Sequence, residues 1–236
     1  MNKKNTYLII GNGRVAKHLT HYLNLLNVNF LSWSRSQSDL KNLEVIAKAA
    51  THILICTKDS AIQEIANLRI FADKIKIHFS GSMTIPDVFS IHPLMTFSNE
   101  LYPNDQYPKI PFIIDESAPD LKTLIPELTN PVYRINEKLR PLYHALCVTG
   151  GNFTTMLWQM VFEESLKKLN LPKEAYSEFL NVTVKNVLTS PDTALTGPFI
   201  RSDVETIELN KKSLAKSELL SIYQAFENSY ARPNKI

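Results

Sequence analysis

The 236-residue sequence predicts an α/β domain with a mostly parallel, doubly wound sheet, followed by an all-α domain. Short apolar runs typical of buried strands alternate with helical patterns as far as about residue 136. Beyond that point strand-like runs stop, and apolar residues follow helical periodicity almost to the end of the chain. We therefore expect a dinucleotide-binding sheet domain over residues 1–137 and a helical substrate and dimerisation domain over residues 138–236.

The composition favours a globular protein and argues against binding to nucleic acid. Hydrophobic residues make up 44% of the chain, which is ample for a packed core. Lys and Arg total 26 against 23 for Asp and Glu, and the basic residues are scattered, so we expect no nucleic-acid partner.

The cysteines and the first residues bear on location. Cys56 and Cys147 lie far apart in apolar runs, which indicates free thiols in a reducing compartment, and no metal-ligand spacing occurs. Only four strongly apolar residues precede Gly11, too few for a signal peptide or a membrane span. We expect a soluble cytoplasmic protein with no metal and no membrane partner.

The first strand, residues 7–10, ends at two glycines and leads directly into a helical pattern. Gly11 allows a tight turn, Gly13 lets backbone amides approach a pyrophosphate, and the helix N-terminus adds partial positive charge. The alternative is a plain strand-to-helix turn without a ligand. We interpret the segment as the phosphate loop of a Rossmann domain, with these cofactor-binding residues: Gly11, Asn12, Gly13, Arg14 and Val15.

The second strand, residues 27–36, ends in Ser34, Arg35 and Ser36. An NAD site carries Asp or Glu at this point to accept from the ribose hydroxyls, whereas a guanidinium flanked by hydroxyls suits a 2′-phosphate. We therefore predict NADP(H) as the cofactor, bound by these three residues. The alternative is an exposed arginine in a polar turn.

The remaining elements of the first domain follow in order. Thr57 and Lys58 end the third strand and are predicted beside the cofactor, although Lys58 also suits a solvated loop, and Asp59 or Ser60 is predicted to cap the next helix. The predicted strands are 51–57, 74–82, 111–115 and 131–135. The predicted helices are 38–49, 61–68 and 119–128, and residues 99–111 are predicted to be a loop.

Polar residues after the fourth strand suggest a wall of the nicotinamide site. Ser80 and Gly81 bring a hydroxyl and bare backbone to the sheet edge. His92 precedes a proline, which favours extended geometry, and it lies between apolar residues. A half-buried structural histidine is the alternative there.

The helical half is predicted to contain helices over 139–169, 173–188 and 212–228. In the first of them, His144, Val148 and Asn152 are spaced to share one face. Two glycines at 150 and 151 are costly in a helix and indicate a close approach by a cofactor ring or substrate, or else by a crossing helix. His144 is the candidate proton donor, and Asn152 is suited to hold a carbonyl.

Between two predicted helices, residues 194–203 form a rigid loop with a Gly-Pro step and one fixed cation. Arg201 is suited to bind a substrate carboxylate through two hydrogen bonds. The alternative is an ion pair of Arg201 with Asp203 or Glu205.

Three motifs in order together resemble a two-domain Rossmann-like family known by its C-terminal domain of unknown function. The motifs are His92-Pro93-Leu94 with Phe97, Tyr143-His144-Ala145 with Asn152-Phe153, and Leu195-Thr196-Gly197-Pro198 with Arg201 and Asp203. This family is similar to pyrroline-5-carboxylate reductase, 3-hydroxyisobutyrate dehydrogenase and the F420-dependent NADP oxidoreductases, with a helical half like that of 6-phosphogluconate dehydrogenase. It also resembles the group that contains an alternative ketopantoate reductase.

The sequence departs from these patterns at two positions. Ser202 stands where family members often have glycine, between Arg201 and Asp203. Val148 stands where hydroxyisobutyrate-type enzymes carry a lysine, four residues before the helix asparagine, so a lysine mechanism does not transfer.

The resemblance, together with the glycine turn, Arg35 and the His144/Asn152 face, leads us to expect NADPH-dependent reduction of a small 2-oxo acid, most specifically ketopantoate to pantoate. From the helical half we expect a homodimer joined through that domain. The predicted catalytic residues are His144, Asn152 and Ser80. The predicted substrate-binding residues are His92, Arg201 and Gly81. The alternatives are an imine reductase resembling pyrroline-5-carboxylate reductase and a protein that binds NADP(H) without turnover.

Overall fold

A computed structural model of the chain describes residues 5–230. It falls into two compact units, Met1–Gly151 and Asn152–Ile236. Among the described residues, no helix has the length and apolar character needed to cross a bilayer.

The first unit is built on one seven-stranded sheet. The strands are β1 Tyr7–Ile10, β2 Phe30–Trp33, β3 His52–Ile55, β4 Ile75–His78, β5 Phe89–Pro93, β6 Phe112–Asp115 and β7 Val132–Ile135. Their spatial order is β2-β1-β3-β4-β5-β6-β7. Every neighbouring pair is parallel except β5 and β6, which confirms the predicted mostly parallel sheet.

Helices cover both faces of this sheet. They are α1 Arg14–Leu25, α2 Leu40–Ala47, α3 Asp59–Ala66, α4 Leu121–Leu124 and α5 Arg140–Cys147, with 3₁₀ helices at Arg69–Phe71, Asn104–Lys109 and Glu137–Leu139. Alternate residues of β1 enter two separate apolar clusters, Tyr7 and Ile9 with α1, and Leu8 and Ile10 with α2 and α3. Since successive strand residues point to opposite faces, the fold is doubly wound as predicted.

Two local predictions in this unit were wrong. Residues 99–111 are not all loop, because Tyr107 lies buried in the 3₁₀ helix Asn104–Lys109 and its hydroxyl is 2.8 Å from Nδ1 of His18. The cap of α3 is Lys58 and not Asp59 or Ser60. Asp59 is already helical, and its carboxylate accepts hydrogen bonds from two serines instead of the helix N–H groups.

The second unit, as far as it is described, is all helical. It contains α6 Thr154–Leu169, α7 Ser177–Thr189, α8 Val204–Ser213 and α9 Leu219–Tyr230, with a 3₁₀ helix at Lys173–Tyr176. The predicted helix over 212–228 is present in part as α9, which begins only at Leu219, and the preceding helix α8 was not predicted. Asp203 caps α8, and its carboxylate accepts from the Thr206 N–H at 3.1 Å and the Thr206 hydroxyl at 2.8 Å.

The predicted continuous α-helix over 139–169 is interrupted. A π-helical turn, Val148–Phe153, separates α5 from α6. Because π-type hydrogen bonds join residues five apart, the regular i, i+4, i+8 spacing predicted for His144, Val148 and Asn152 is kept from His144 to Val148 but not from Val148 to Asn152. At Gly151 an added Cβ would lie 3.7 Å from Oγ1 of Thr96, an ordinary contact that does not itself require glycine.

Candidate active site

A cleft of roughly 560 Å³ opens at the carboxyl ends of the central strands of the first unit. β2 and β3 lie on opposite sides of β1, so the connections leaving β1 and β3 diverge there, which is where doubly wound sheets bind ligands. The lining residues are Gly11, Asn12, Gly13, Arg14, Val15, Ile55, Cys56, Thr57, Lys58, Asp59, Phe79, Ser80, Gly81, His92 and His144. Eleven of them were predicted site residues.

The two glycines of the loop after β1 have different roles. Gly11 has φ +122° and its N–H donates to the Trp33 carbonyl at 2.8 Å, so the turn fixes the ends of β1 and β2 together. Gly13 has ordinary extended geometry, and an added Cβ would meet no atom within 4 Å. No side chain caps α1 at Gly13 and no acidic residue lies in its first turn. The loop therefore leaves open space beside a helix N-terminus with positive polarity.

Ser34, Arg35 and Ser36 lie beyond β2 and are joined to this loop. The Asn12 side-chain amide donates to the Ser36 hydroxyl at 2.9 Å. Ser34 is buried, and its hydroxyl donates to Oε1 of Gln37 at 2.8 Å. It therefore supports the turn from inside, whereas Ser36 and Arg35 present polar groups at the surface.

Within residues 5–230, Arg35 has one ionic neighbour, Glu64 on α3. Its guanidinium lies 3.5 Å from the Glu64 carboxylate, and the two side chains are 72% and 70% exposed. An ion pair of such exposure contributes little, about 0–1 kcal/mol. The guanidinium is thus not committed to Glu64 and is accessible to an incoming anion.

Asp59 organises the turn after β4, a role that the sequence analysis missed. Its Oδ2 accepts from the Ser80 hydroxyl at 2.9 Å and from the Ser82 hydroxyl at 3.0 Å. The Ser80 oxygen also accepts from the Ser82 N–H at 3.3 Å, so both the donor and the acceptor side of this hydroxyl are engaged within the turn. The position of Asp59 directly after a predicted strand end was the signal in the sequence.

His92 and His144 lie together on either side of Gly81. Their ring centroids are 6.2 Å apart and the rings are nearly perpendicular. A Cβ at Gly81 would lie 2.7 Å from Cδ2 of His144 and 3.1 Å from Nε2 of His92. The absence of a side chain at Gly81 is therefore what lets both imidazoles occupy this end of the cleft.

The protonation of His92 follows from its surroundings. Burial, together with the electrostatic effects of the neighbouring His144 and Arg140 side chains, lowers its pKa to about 4, although Asp59 acts in the opposite direction. His92 is consequently neutral at pH 7 and donates a hydrogen bond through only one ring nitrogen. Its Nδ1 lies 2.6 Å from the hydroxyl of Tyr143.

Arg140 fixes the start of α5, and with it Tyr143 and His144. It is fully buried, and its Nε donates to the carboxylate of Asp115 on β6. Its NH2 group also donates to the carbonyls of Ser90 at 3.3 Å and Ile113 at 3.4 Å. These bonds tie the helix to two neighbouring strands, so the rings it carries have a rigid support.

Asn152 and Arg201 belong to the second unit, and their placement at the cleft remains a prediction. Asn152 is exposed within the π-helical turn, and Arg201 is exposed in the loop before α8. Within residues 5–230, no ion pair joins Arg201 to Asp203 or Glu205. Asp203 instead uses its carboxylate to cap α8.

Comparison with known proteins supports this description. The model of a protein family described as a domain of unknown function, DUF2520, matches residues 111–230. The chain belongs to this family. No curated protein matches the chain.

Solved structures show how widely the fold of this DUF2520 protein is shared. A candidate NADP oxidoreductase from Bacteroides fragilis is 25% identical with a TM-score of 0.77, covering 96% of this chain and 98% of that one. A Thermotoga maritima protein is 19% identical with a TM-score of 0.70, covering 95% and 96%. Plasmodium falciparum pyrroline carboxylate reductase, solved with NADP bound, is 13% identical with a TM-score of 0.61, covering 97% and 100%. The predicted two-domain Rossmann-like fold is confirmed.

Proposed function

We propose that this DUF2520 protein is an NADPH-dependent reductase of a small 2-oxo acid, with the reduction of ketopantoate to pantoate as its specific reaction. The observation that carries the proposal is one cleft that combines a glycine loop at a helix N-terminus with two adjacent histidines. The first suits a dinucleotide phosphate, and the second suits a carbonyl that gains negative charge. The likeness to an NADP oxidoreductase-like protein supports the NADP-dependent reductase part of this proposal.

The residues present fit NADP(H). The open space at Gly13 gives backbone amides access to a pyrophosphate, and Thr57 and Lys58 border the same space from the end of β3. Arg35 is exposed, forms a weak surface ion pair with Glu64, and is suited to a 2′-phosphate. When bound, this cofactor supplies the hydride for the reduction.

The chain's own residues supply the proton and orient the substrate. His144 donates a proton to the carbonyl oxygen of the substrate, and general acid catalysis of this kind contributes about 10²–10⁴-fold. His92 is neutral and donates a hydrogen bond to the same oxygen. We assign Asn152 to orienting the carbonyl and Arg201 to binding the carboxylate, on the strength of the motifs that they share with the family.

A second candidate is reduction of an imine, for which Asp59 is the specific observation. A carboxylate in the cleft favours a cationic iminium and disfavours an anionic 2-oxo acid. The Asp59 carboxylate, however, already accepts hydrogen bonds from the Ser80 and Ser82 hydroxyls. An iminium also needs less acid catalysis than a ketone, so the paired histidines favour the ketone.

The test is the consumption of NADPH, followed by its absorbance, with ketopantoate and with pyrroline-5-carboxylate in parallel. Oxidation with ketopantoate supports the proposal, and oxidation with pyrroline-5-carboxylate alone supports the imine reductase. Binding of NADPH without turnover of either substrate would show a protein that binds the cofactor without catalysis.

A matched pair of variants tests whether His144 is the general acid. His144→Ala is expected to lower kcat by about 10²–10⁴-fold with NADPH affinity unchanged. His21→Ala, on α1 outside the cleft lining, is the control and is expected to keep full activity. An undiminished rate for His144→Ala rules out His144 as the acid.

We also propose a homodimer through the helical domain. Among the described residues of the second unit, Ser165 is the one that is buried, while large apolar side chains such as Leu188 (80% exposed) and Phe179 (63%) face outward. Burying each such side chain stabilises by about 1.5–3 kcal/mol, so this unit gains much from covering its surface. A second copy is the partner we propose.

Light scattering on the purified protein tests the dimer. Leu188→Glu is expected to weaken the association, because it places a charge on the apolar surface. Val45→Glu on α2 is the control. Val45 is likewise an exposed apolar residue, with 64% exposure, but it lies in the first unit. A monomeric wild-type protein would contradict the proposal.

A further inference from the structure

We propose that Tyr143 is a positioning residue that holds His92 in the tautomer with its proton on Nε2, so that the ring presents a neutral N–H to the carbonyl oxygen of the substrate. This inference rests on the proposed reductase function for its chemistry. The structural basis is the hydrogen bond between the Tyr143 hydroxyl and the His92 ring.

The geometry places the two nitrogens of His92 in different surroundings. Nδ1 lies 2.6 Å from the Tyr143 hydroxyl, and the two rings meet edge to face with centroids 5.5 Å apart. Nε2 lies on the side of Gly81, where an added Cβ would be 3.1 Å away. Gly81 and His92 both line the cleft. One nitrogen is therefore held by the protein and the other faces the ligand space.

Two arrangements of protons satisfy this contact. In the first, the phenol donates to Nδ1, and the ring proton is on Nε2. In the second, Nδ1–H donates to the phenol oxygen, and the phenol donates to the thiol of Cys147, one turn further along α5. Burial and the interaction with Cys147 raise the pKa of Tyr143, so in either case the phenol keeps its proton.

The first arrangement has the stronger hydrogen bonds. An imidazole nitrogen is a strong acceptor for a phenol, whereas sulfur is a weak one. The separation of 2.6 Å is at the short end for a hydrogen bond, as expected for a phenol that donates to a good acceptor. We therefore assign the donor role to Tyr143 and the proton of His92 to Nε2.

The charges around His92 keep the ring neutral, so it acts by hydrogen bonding. Arg140 and His144 oppose a second proton on the ring, and Asp59 alone favours one. A neutral N–H that points at a developing oxyanion stabilises the transition state without having to be reprotonated in each cycle. The two histidines then divide the work, with His144 as the acid and His92 as a fixed donor.

The test is the tautomer of His92 in the ligand-free protein, read from long-range ¹H–¹⁵N NMR correlations after ¹⁵N-histidine labelling. We expect wild-type His92 to be a single Nε2–H tautomer at neutral pH. Tyr143→Phe removes the phenol and is expected to give a mixture of both tautomers. Cys147→Ala is expected to keep the wild-type pattern, since the thiol only accepts in the disfavoured arrangement.

A matched surface variant controls for general effects of losing a phenol. Tyr133→Phe removes a hydroxyl from a side chain of β7 that is 61% exposed. We expect its His92 spectrum to equal that of the wild type. A wild-type Nδ1–H tautomer, or a Tyr143→Phe spectrum still showing Nε2–H alone, would overturn the assignment. If Tyr143→Phe does not fold, the tautomer of His92 in the wild-type protein tests the assignment by itself.

Turnover gives the second readout. Tyr143→Phe is expected to lower kcat by about 10–10²-fold while the KM for NADPH is unchanged, because only the oxyanion contact is affected. His92→Gln, which keeps a neutral N–H donor, is expected to retain more activity than His92→Ala. Equal rates for these two variants would contradict the donor role. A wild-type protein without turnover would refute the reductase function and leave the tautomer result intact.

Discussion

Gly11 packs directly against the backbone carbonyl of Cys56, at the switch point of the sheet. A Cβ at Gly11 would lie 2.9 Å from the carbonyl carbon of Cys56 and closer still to its oxygen. Its φ of +122° is also one that side chains rarely allow. The roles of the two glycines can therefore be separated by experiment, since the fold itself requires Gly11, whereas Gly13 is proposed to serve cofactor binding.

Gly11→Ala is expected to lower the free energy of unfolding by at least about 1–3 kcal/mol, because the strained backbone and the clash with Cys56 act together. Gly13→Ala is the matched variant, with no atom within 4 Å of the new Cβ. It is expected to keep wild-type stability in urea titrations but to weaken NADPH binding at least about tenfold. Loss of stability in Gly13→Ala, or a stable Gly11→Ala, would contradict these assignments.

Arg35 and Glu64 offer a test of cofactor choice. Arg35→Ala is expected to weaken NADPH binding about 10–10²-fold, the value of one or two charge-assisted hydrogen bonds, with NADH binding unchanged. Glu64→Gln removes the acidic neighbour of Arg35 and is expected to bind NADPH at least as well as the wild type.

The fluorescence of Trp33 is expected to respond to NADPH binding, and scarcely to NADH. Trp33 is buried at the end of β2 and donates to the Asp39 carbonyl at 3.0 Å. Trp158 lies in the second unit, so a Trp158→Phe background isolates the signal of Trp33. Equal responses to NADPH and NADH in the wild type would show that Arg35 does not select the 2′-phosphate.

Most of the sheet was predictable because its signals are local, although β5 was not predicted as a strand. β1 matches its predicted bounds, and the burial of all four of its residues is what an unbroken apolar run in a parallel sheet implies. α8 escaped prediction because Asp203 caps it through a hydrogen bond that no periodicity indicates. The π-helical turn also escaped, because the two glycines indicated crowding, whereas the observed change is in the helical hydrogen-bond pattern.

The site was predictable where its residues follow strand ends. Gly11, Thr57 and Ser80 lie within two residues of the ends of β1, β3 and β4, so the parallel topology brings them to one edge. The role of Tyr143 was not predictable, since its contact with His92 joins residues 51 positions apart. Such a contact depends on how α5 lies against β5, which sequence spacing does not determine.

Gly81 tests whether the two histidines act together. In Gly81→Ala the new methyl group would lie 2.7 Å from His144 and 3.1 Å from His92, so at least one ring must move. Displacing a catalytic group by about 1 Å costs up to about 10²-fold, and we expect kcat to fall by roughly that factor with NADPH affinity retained. Steady-state kinetics and cofactor titration measure both quantities. Full activity in Gly81→Ala would show that the rings are free to move without loss.

The buried histidines make stability depend on pH. Burial is the main cause that lowers the pKa of His78 and of His92 to about 4, and burial also lowers the pKa of His52. In the unfolded chain these groups titrate near pH 6.5. Between pH 6.5 and 4 the unfolded state therefore binds more protons than the folded one, so the free energy of unfolding falls as the pH falls.

Between pH 6.5 and 5, before most carboxylates titrate, we expect a loss of about 1.5 kcal/mol for each of His78 and His92. Urea titrations at several pH values measure this loss. His92→Gln removes one titrating group. Its free energy of unfolding is therefore expected to fall less steeply as the pH falls, with about one proton fewer taken up on unfolding than in the wild type. A wild-type stability that is constant from pH 6.5 to 5 would mean that these imidazoles are not buried in their neutral form.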